Sequence, residues 1–238
     1  MSEARARGAR AEKAPVPLLD LGPVAQLRAG RLPRRLTQLM AGLVLYGVSL
    51  GLMVQGALGV APWDVLHLAL TRFAPLTLGQ VVILASLVVL LAWIPLREKP
   101  GVGTLLNAVM VGAAADATLA LVAQPDAIVA RVVLVVGGVV LNGVATALYI
   151  GAQLGRGPRD GLMTGLVRRT GASLRLVRTL LEVAVVVVGL LLGGRFGAEF
   201  GVGTVLYALG IGPLAQVLMP YAVVELPAAA PVEPSVDG

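Results

Sequence analysis

The chain has 238 residues and a formal net charge of +6, and it is 57% apolar, 13% charged and +0.88 in mean hydropathy, a balance foreign to soluble domains and suited to a bilayer. It contains no cysteine and a single histidine, His67, so a disulfide framework, a thiolate metal site and a histidine cluster are excluded, and no metal or other cofactor is expected. The basic balance does not point to nucleic acid, because 16 of the 19 Lys and Arg fall in three clusters beside apolar runs, as the orientation of a membrane protein requires.

Residues 1–35 are basic and poor in apolar side chains, and read as a flexible cytoplasmic tail. Residues 31–35 are expected at the membrane edge, where each basic side chain near anionic lipid is worth about 1 kcal/mol. The first apolar run starts too late, and is too long, for a signal peptide. That run, 36–58, has 23 residues without a charge, enough at 1.5 Å per residue to cross a hydrocarbon core of about 30 Å with some tilt. Further runs at 76–96, 104–122, 132–155, 176–194 and 201–224 bring the expected spans to six.

The chain repeats itself. Residues 42–64 overlay 138–160 without a gap, placing Gly47 on Gly143, Gly59 on Gly155, Pro62 on Pro158 and Asp64 on Asp160, an offset of 96. After a four-residue slip, Gly101-Val102-Gly103-Thr104 matches Gly201-Val202-Gly203-Thr204. Chance similarity between apolar segments rarely keeps Gly, Pro and Asp in register. The expected organisation is repeat 1 over 36–126, repeat 2 over 127–224 and a flexible tail over 225–238. Three spans per repeat is an odd number, so the second copy must enter the membrane from the opposite side. With the N-terminus cytoplasmic, only Arg72, Arg131 and Arg195 fall outside, a ratio of 16 to 3 that agrees with the positive-inside rule. The fold class is therefore an all-α integral membrane protein of six transmembrane helices in two inverted three-helix repeats, each with a short Pro-x-Asp helix after its first span.

In that corner, Gly-x-x-Pro-x-Asp, the glycine ends one helix and the proline opens the next. The Asp then lies in the first turn, near free N–H groups and the positive end of the helix dipole. Segments 62–73 and 158–169 read either as capped interfacial helices or as re-entrant half-helices facing a cavity. The copies differ where Trp63 stands for Arg159, Val65 for Gly161 and His67 for Met163. The charged copy makes Arg159 and Asp160, flanked by Gly157 and Gly161, the sharper ligand-binding candidates, with Trp63, Asp64 and His67 as their counterparts. An aspartyl dyad of Asp64 and Asp160 is set aside, because the topology puts the two loops on opposite faces. With no nucleophile and base pair elsewhere, no catalytic residue is expected and the chain does not read as an enzyme.

Asp116 is a carboxylate inside an apolar run, a position that costs at least about 2.5 kcal/mol and marks either function or closeness to the interface. Arg178 and Glu182, four residues apart, are expected to pair and shield one another. Gln55, Asn107, Asn142, Tyr149 and Tyr207 either hydrogen-bond between helices or line a cavity. Gly47-x-x-x-Gly51 and Gly143-x-x-x-Ala147 are small-residue faces, and the seam between the copies is expected there.

The motifs Leu45-Tyr46-Gly47, Leu58-Gly59-x-x-Pro62-Trp63-Asp64-Val65-Leu66-His67, Pro100-Gly101-Val102-Gly103-Thr104 and Leu154-Gly155-x-Gly157-Pro158-Arg159-Asp160-Gly161-Leu162-Met163 resemble the YczE/YyaS family of bacterial integral membrane proteins, and more distantly YitT-type membrane proteins. The resemblance spans about residues 32–222 and implies a multi-pass protein of the bacterial plasma membrane, without naming a ligand. The functional expectation is a small-solute permease or transporter subunit with a site between inverted repeats; the alternative is a non-transporting membrane scaffold or accessory protein. The partners expected are the lipid bilayer and a small-molecule solute, with no nucleic acid, and the sequence is silent on homo-oligomerisation.

Overall fold

A computed structural model describes residues 21–197 and 199–226; the rest of the two expected tails lies outside the described residues. Among the described residues the chain is all-helical, with α1 (Pro23–Arg28), α2 (Leu32–Gly56), α3 (Pro62–Leu70), α4 (Leu78–Leu96), α5 (Val102–Leu121), α6 (Ile128–Gly151), α7 (Pro158–Thr170), α8 (Leu174–Leu191) and α9 (Val202–Ala222). Five of them, α2, α4, α5, α6 and α9, are long and apolar enough to cross a membrane. The run expected to form a fifth span, 176–194, appears as α8, which carries Arg175, Arg178 and Glu182 and is not among those five. Large apolar side chains face outward along the bundle, among them Leu91 and Ile94 on α4, Val133 on α6 and Leu209 on α9. An apolar exterior is what lipid solvation selects, and the interior is itself mostly apolar, with buried polar groups confined to a minority of positions. The chain is a multi-pass membrane protein.

The centre is the antiparallel pair α2 and α6. A Cβ added at Gly42 would meet the Tyr149 backbone N at 2.8 Å, and one added at Gly138 would meet Met53 Cγ at 2.6 Å. The seam runs through these glycines and Gly56, so the expectation that Gly47 and Gly51 would form it is corrected. Those two pack α2 against Val111, Ala115 and Thr118 of α5, while Gly143 packs α6 against Leu214 of α9. At 100° per residue, Gly47 and Gly51 stand on a different face of α2 from Gly42 and Gly56.

The two corners are built alike, each against the other half of the chain. After α2 the backbone turns left-handed at Ala57 (φ 47°) and again at Gly59 (φ 115°), and after α6 it does so at Gln153 (φ 55°) and Gly155 (φ 124°). Gly203 N donates to Leu58 O at 2.8 Å, and Gly103 N donates to Leu154 O at 2.7 Å. A side chain at Gly59 would collide with Thr204 N, and one at Gly155 with Thr104 Oγ1, at 2.7 and 2.8 Å. Arg131 donates to Gly56 O (2.9 Å) and Ala57 O (2.6 Å), closing the end of α2, while Arg35 donates to Ala152 O (2.8 Å) and Gln153 O (2.6 Å), closing the end of α6.

The part of the expected basic tail that is described is therefore folded. Residues 23–28 form α1, and Arg35 is fully buried beneath it, also donating to Gln26 O at 2.5 Å. Its expected place among lipid headgroups is corrected: four main-chain carbonyls at the end of α6 and around α1 accept from it and replace the water it has lost. Residues 128–131, expected before the fourth span, likewise belong to α6, because Arg131 folds back onto α2 rather than breaking the helix.

Candidate functional site

Helices α3 and α7 begin beside one another and end at opposite ends of the bundle. The α3 end is tied to the Arg131 end of the bundle, where Arg72 donates to Gly193 O at 2.7 Å and pairs with Glu199. The α7 end is tied to the Arg35 end, where Arg169 donates to Pro95 O at 2.8 Å and Arg168 pairs with Glu98. Their first residues, Pro62-Trp63 and Pro158-Arg159-Asp160, line one cavity of about 90 Å³. The loops lie at opposite ends, but each doubles back so that its short helix starts at the cavity and runs outward, which brings the two Pro-x-Asp starts together and corrects the expectation that the topology keeps them apart.

Close packing positions α7. A side chain at Gly161 would run into the Trp93 ring of α4, so glycine admits the indole, whose Nε1 then donates to Pro158 O at 3.0 Å. The same fit is reversed for α3, where Gly189 of α8 receives the Val65-Leu66 backbone, its added Cβ falling 2.9 Å from Leu66 N. Small and large residues have changed places between equivalent positions, which accounts for the Val65/Gly161 difference between the copies.

Arg159 reaches across to the first copy. Its guanidinium carbon lies 5.5 Å from the Tyr46 ring centroid and 5.7 Å from that of Trp63, and Nη2 donates to the Tyr46 hydroxyl. Such placement over ring faces attracts a cation through the negative faces of the rings. Asp160 accepts from the Tyr149 hydroxyl. Tyr207 donates to Asn142 Oδ1 at 3.1 Å, and Asn142 Nδ2 donates to Ser49 Oγ at 2.7 Å, linking α9, α6 and α2 behind the cavity. Arg178 Nε donates to Glu182 at 2.8 Å on the same wall. The expected pair thus forms, and both charges face the cavity rather than lipid.

Asp64 and His67 are buried behind Trp63, with His67 Nδ1 3.0 Å from Asp64 Oδ1. They line a smaller space of about 20 Å³ that also touches Trp63 and Arg159. Gly157 lines the main cavity, and Gly161 is buried against Trp93. Asp116 stands apart: it accepts from Gly79 N (2.7 Å) and Thr77 Oγ1 (2.5 Å) at the start of α4, where a carboxylate meets free N–H groups. Gln55 donates to Val122 O at 2.5 Å, bonding between helices.

Toward the Arg35 end, a wider space of about 390 Å³ lies beneath α1, and Asp160, Met163 and Arg178 belong to its wall as well as to that of the central cavity. These three side chains separate the two spaces.

Tyr46, Thr146 and Ile211 line the cavity although sequence reasoning does not put them among the site candidates, Tyr46 entering only through the Leu45-Tyr46-Gly47 motif. A signal was present for the first of them: Tyr46 falls on Asn142 in the repeat, and Asn107 on Tyr207. All four of these side chains line the cavity or back it.

Comparisons with known proteins agree on kinship. Residues 33–220 match DUF6198, a family of unknown function. A protein of Haemophilus influenzae, described as uncharacterized, is 39% identical over 178 residues, covering 75% of this chain and 80% of its own. The uncharacterized membrane protein YczE of Bacillus subtilis is 32% identical over 211 residues, 85% of this chain and 96% of its own. YyaS of Bacillus subtilis, also described as uncharacterized, is 27% identical over 183 residues, 75% and 89% of the two chains. No solved structure matches the chain.

Proposed function

The chain belongs to the DUF6198 family, with YczE among its relatives, and from that premise we propose that it is a small-solute permease of the plasma membrane with its N-terminus in the cytoplasm. Its site is the cavity where α3 and α7 begin. In this reading the architecture is six spans in two inverted repeats, with α8 as the fifth in chain order. Its 18 residues cover about 27 Å at 1.5 Å each, and its charged pair is turned to the cavity, where ionisable groups in membranes are tolerated. The matched corners and the matched roles of Arg35 and Arg131 support the inverted repeat.

The observation that carries the proposal is that two half-helices from opposite ends of the bundle start at one polar cavity, walled by Arg159, Asp160 and three tyrosines. A protein that only bound other proteins would have no use for buried charge at that depth, since each such group lowers stability. Transport folds built from repeats place their sites at discontinuous helices of this kind. The corner helices are thus read as re-entrant rather than interfacial.

Because the natural chain lacks cysteine, single cysteines at Asn107, Thr146 and Met163 can be labelled without background. Alternating access predicts labelling from both faces, changing when a transported solute is present. Labelling from one face only, together with no flux of any small solute in proteoliposomes, would leave the scaffold reading in its place.

A further inference from the structure

We infer that the central cavity takes a small monocarboxylate, held through its carboxylate by Arg159. The inference rests on the permease reading and names its solute class.

Charges around the cavity are mostly satisfied within the protein. Arg178 is bonded to Glu182, Asp64 to His67, and Asp160 to the Tyr149 hydroxyl. Asp64 and Asp160 also lie in the first turns of α3 and α7, whose positive ends offset part of their charge. Arg159 differs. It uses one of its five N–H donors, toward Tyr46, and among the described residues it has no ion-pair partner. Tyr46 and Trp63 also face it with their rings, and its Nε and Nη1 donors have no hydrogen-bond partner among the described residues.

A guanidinium edge binds a carboxylate through two parallel N–H···O bonds, and it stays protonated at any physiological pH. Asp64 and Asp160 act on Arg159 electrostatically but neither bonds to it, so what the site offers a solute is a set of unused N–H donors that one carboxylate group would fill. A cavity of about 90 Å³ admits only a few water-sized groups, at roughly 10–15 Å³ each on that measure, so the solute has few heavy atoms beyond its carboxylate. Asn107, whose amide has no side-chain partner among the described residues, stands on the same wall to receive a second polar group.

Both tryptophans of the chain report on the site, Trp63 beside Arg159 and Trp93 bonded to Pro158. The test is a tryptophan-fluorescence titration of the purified full chain in detergent with acetate, propionate and lactate. Acetamide and propionamide serve as neutral counterparts, and inorganic phosphate as a second oxyanion. At least one monocarboxylate should give a saturable change that no amide gives. Arg159→Gln and Arg159→Lys should each weaken it tenfold or more, the lysine because it keeps the charge and loses the fork. Equal saturation by an amide, tighter binding of phosphate, no response to any monocarboxylate, or unaltered binding in a folded Arg159 variant would each overturn the inference. Should the variants fail to fold, the comparison of acid with amide on the natural chain still decides. Uptake by proteoliposomes separates the two levels: carboxylate binding at Arg159 without flux defeats the permease and leaves the anion site standing, whereas flux of a neutral solute with no carboxylate binding does the reverse.

Discussion

At the scale of single residues, this protein uses arginine in three ways, and surroundings rather than residue type decide among them. Arg35 and Arg131 give their donors to main-chain carbonyls at helix ends; Arg178 neutralises a carboxylate; Arg159 keeps its fork for the cavity. Gly161 is as exacting as any of them. Gly161→Val should destabilise the protein by about 1–3 kcal/mol, the usual penalty for overpacking, read as a lower melting temperature in detergent. Adding Trp93→Ala should recover part of that loss, because the pair would then approach the arrangement of Val65 and Gly189 in the first copy. If the two losses simply add, the fit at Gly161 is not what positions α7. Asp116→Asn should lower stability by about 1 kcal/mol through the α4 cap and leave solute binding unchanged; a change in binding would put Asp116 back among the site residues. The sequence marks Asp116 and Asp160 equally, as acids near apolar runs, and only the Thr77-Gly79 cap beside one and Tyr149 beside the other separate them.

At the scale of elements, the Pro-x-Asp corner was legible in outline: a glycine, a proline and an acid in fixed register mean helix, break, helix. Its destination was not legible, since an interfacial helix and a re-entrant one share the same local signals. Nonlocal bonds fix where each corner lies in the bundle, with each corner pinned to the Gly-x-Gly-Thr start of a helix from the other half and locked by an arginine from the partner helix. Arg35→Ala and Arg131→Ala should each cost stability, at about 1–3 kcal/mol for every buried carbonyl left without a donor. Arg35→Ala should be the more damaging, since Arg35 is fully buried and also holds α1. Thermal unfolding of the two variants checks the order; equal and negligible effects would mean that water replaces both guanidiniums.

At the scale of the whole molecule, leucine and valine cover the rim and also fill most of the interior, and a few buried charged side chains gather at one cavity within it. The proposed topology is open to labelling. Cysteines at Lys99 and Glu225 should react from the cytoplasmic face and one at Asp126 only from the opposite face. Reaction of all three from one side would remove the inverted repeat and with it the reading of α8 as a span. The charged pair on α8, Arg178 and Glu182, is bonded to itself and lines the cavity, which composition along a single helix does not record.

The sequence by itself determined what depends on local chemistry and on self-comparison. Apolar runs of bilayer length require helices whose backbone groups are satisfied internally, and the offset of 96 residues requires two like corners. Only the tertiary structure decided that the corners turn inward, that Arg159 passes to the ring faces of Tyr46 and Trp63, and that Arg35 is buried rather than lipid-facing. Each of those outcomes is set by what stands opposite a residue more than 50 positions away in the chain, and periodicity along one helix holds no information about what it faces.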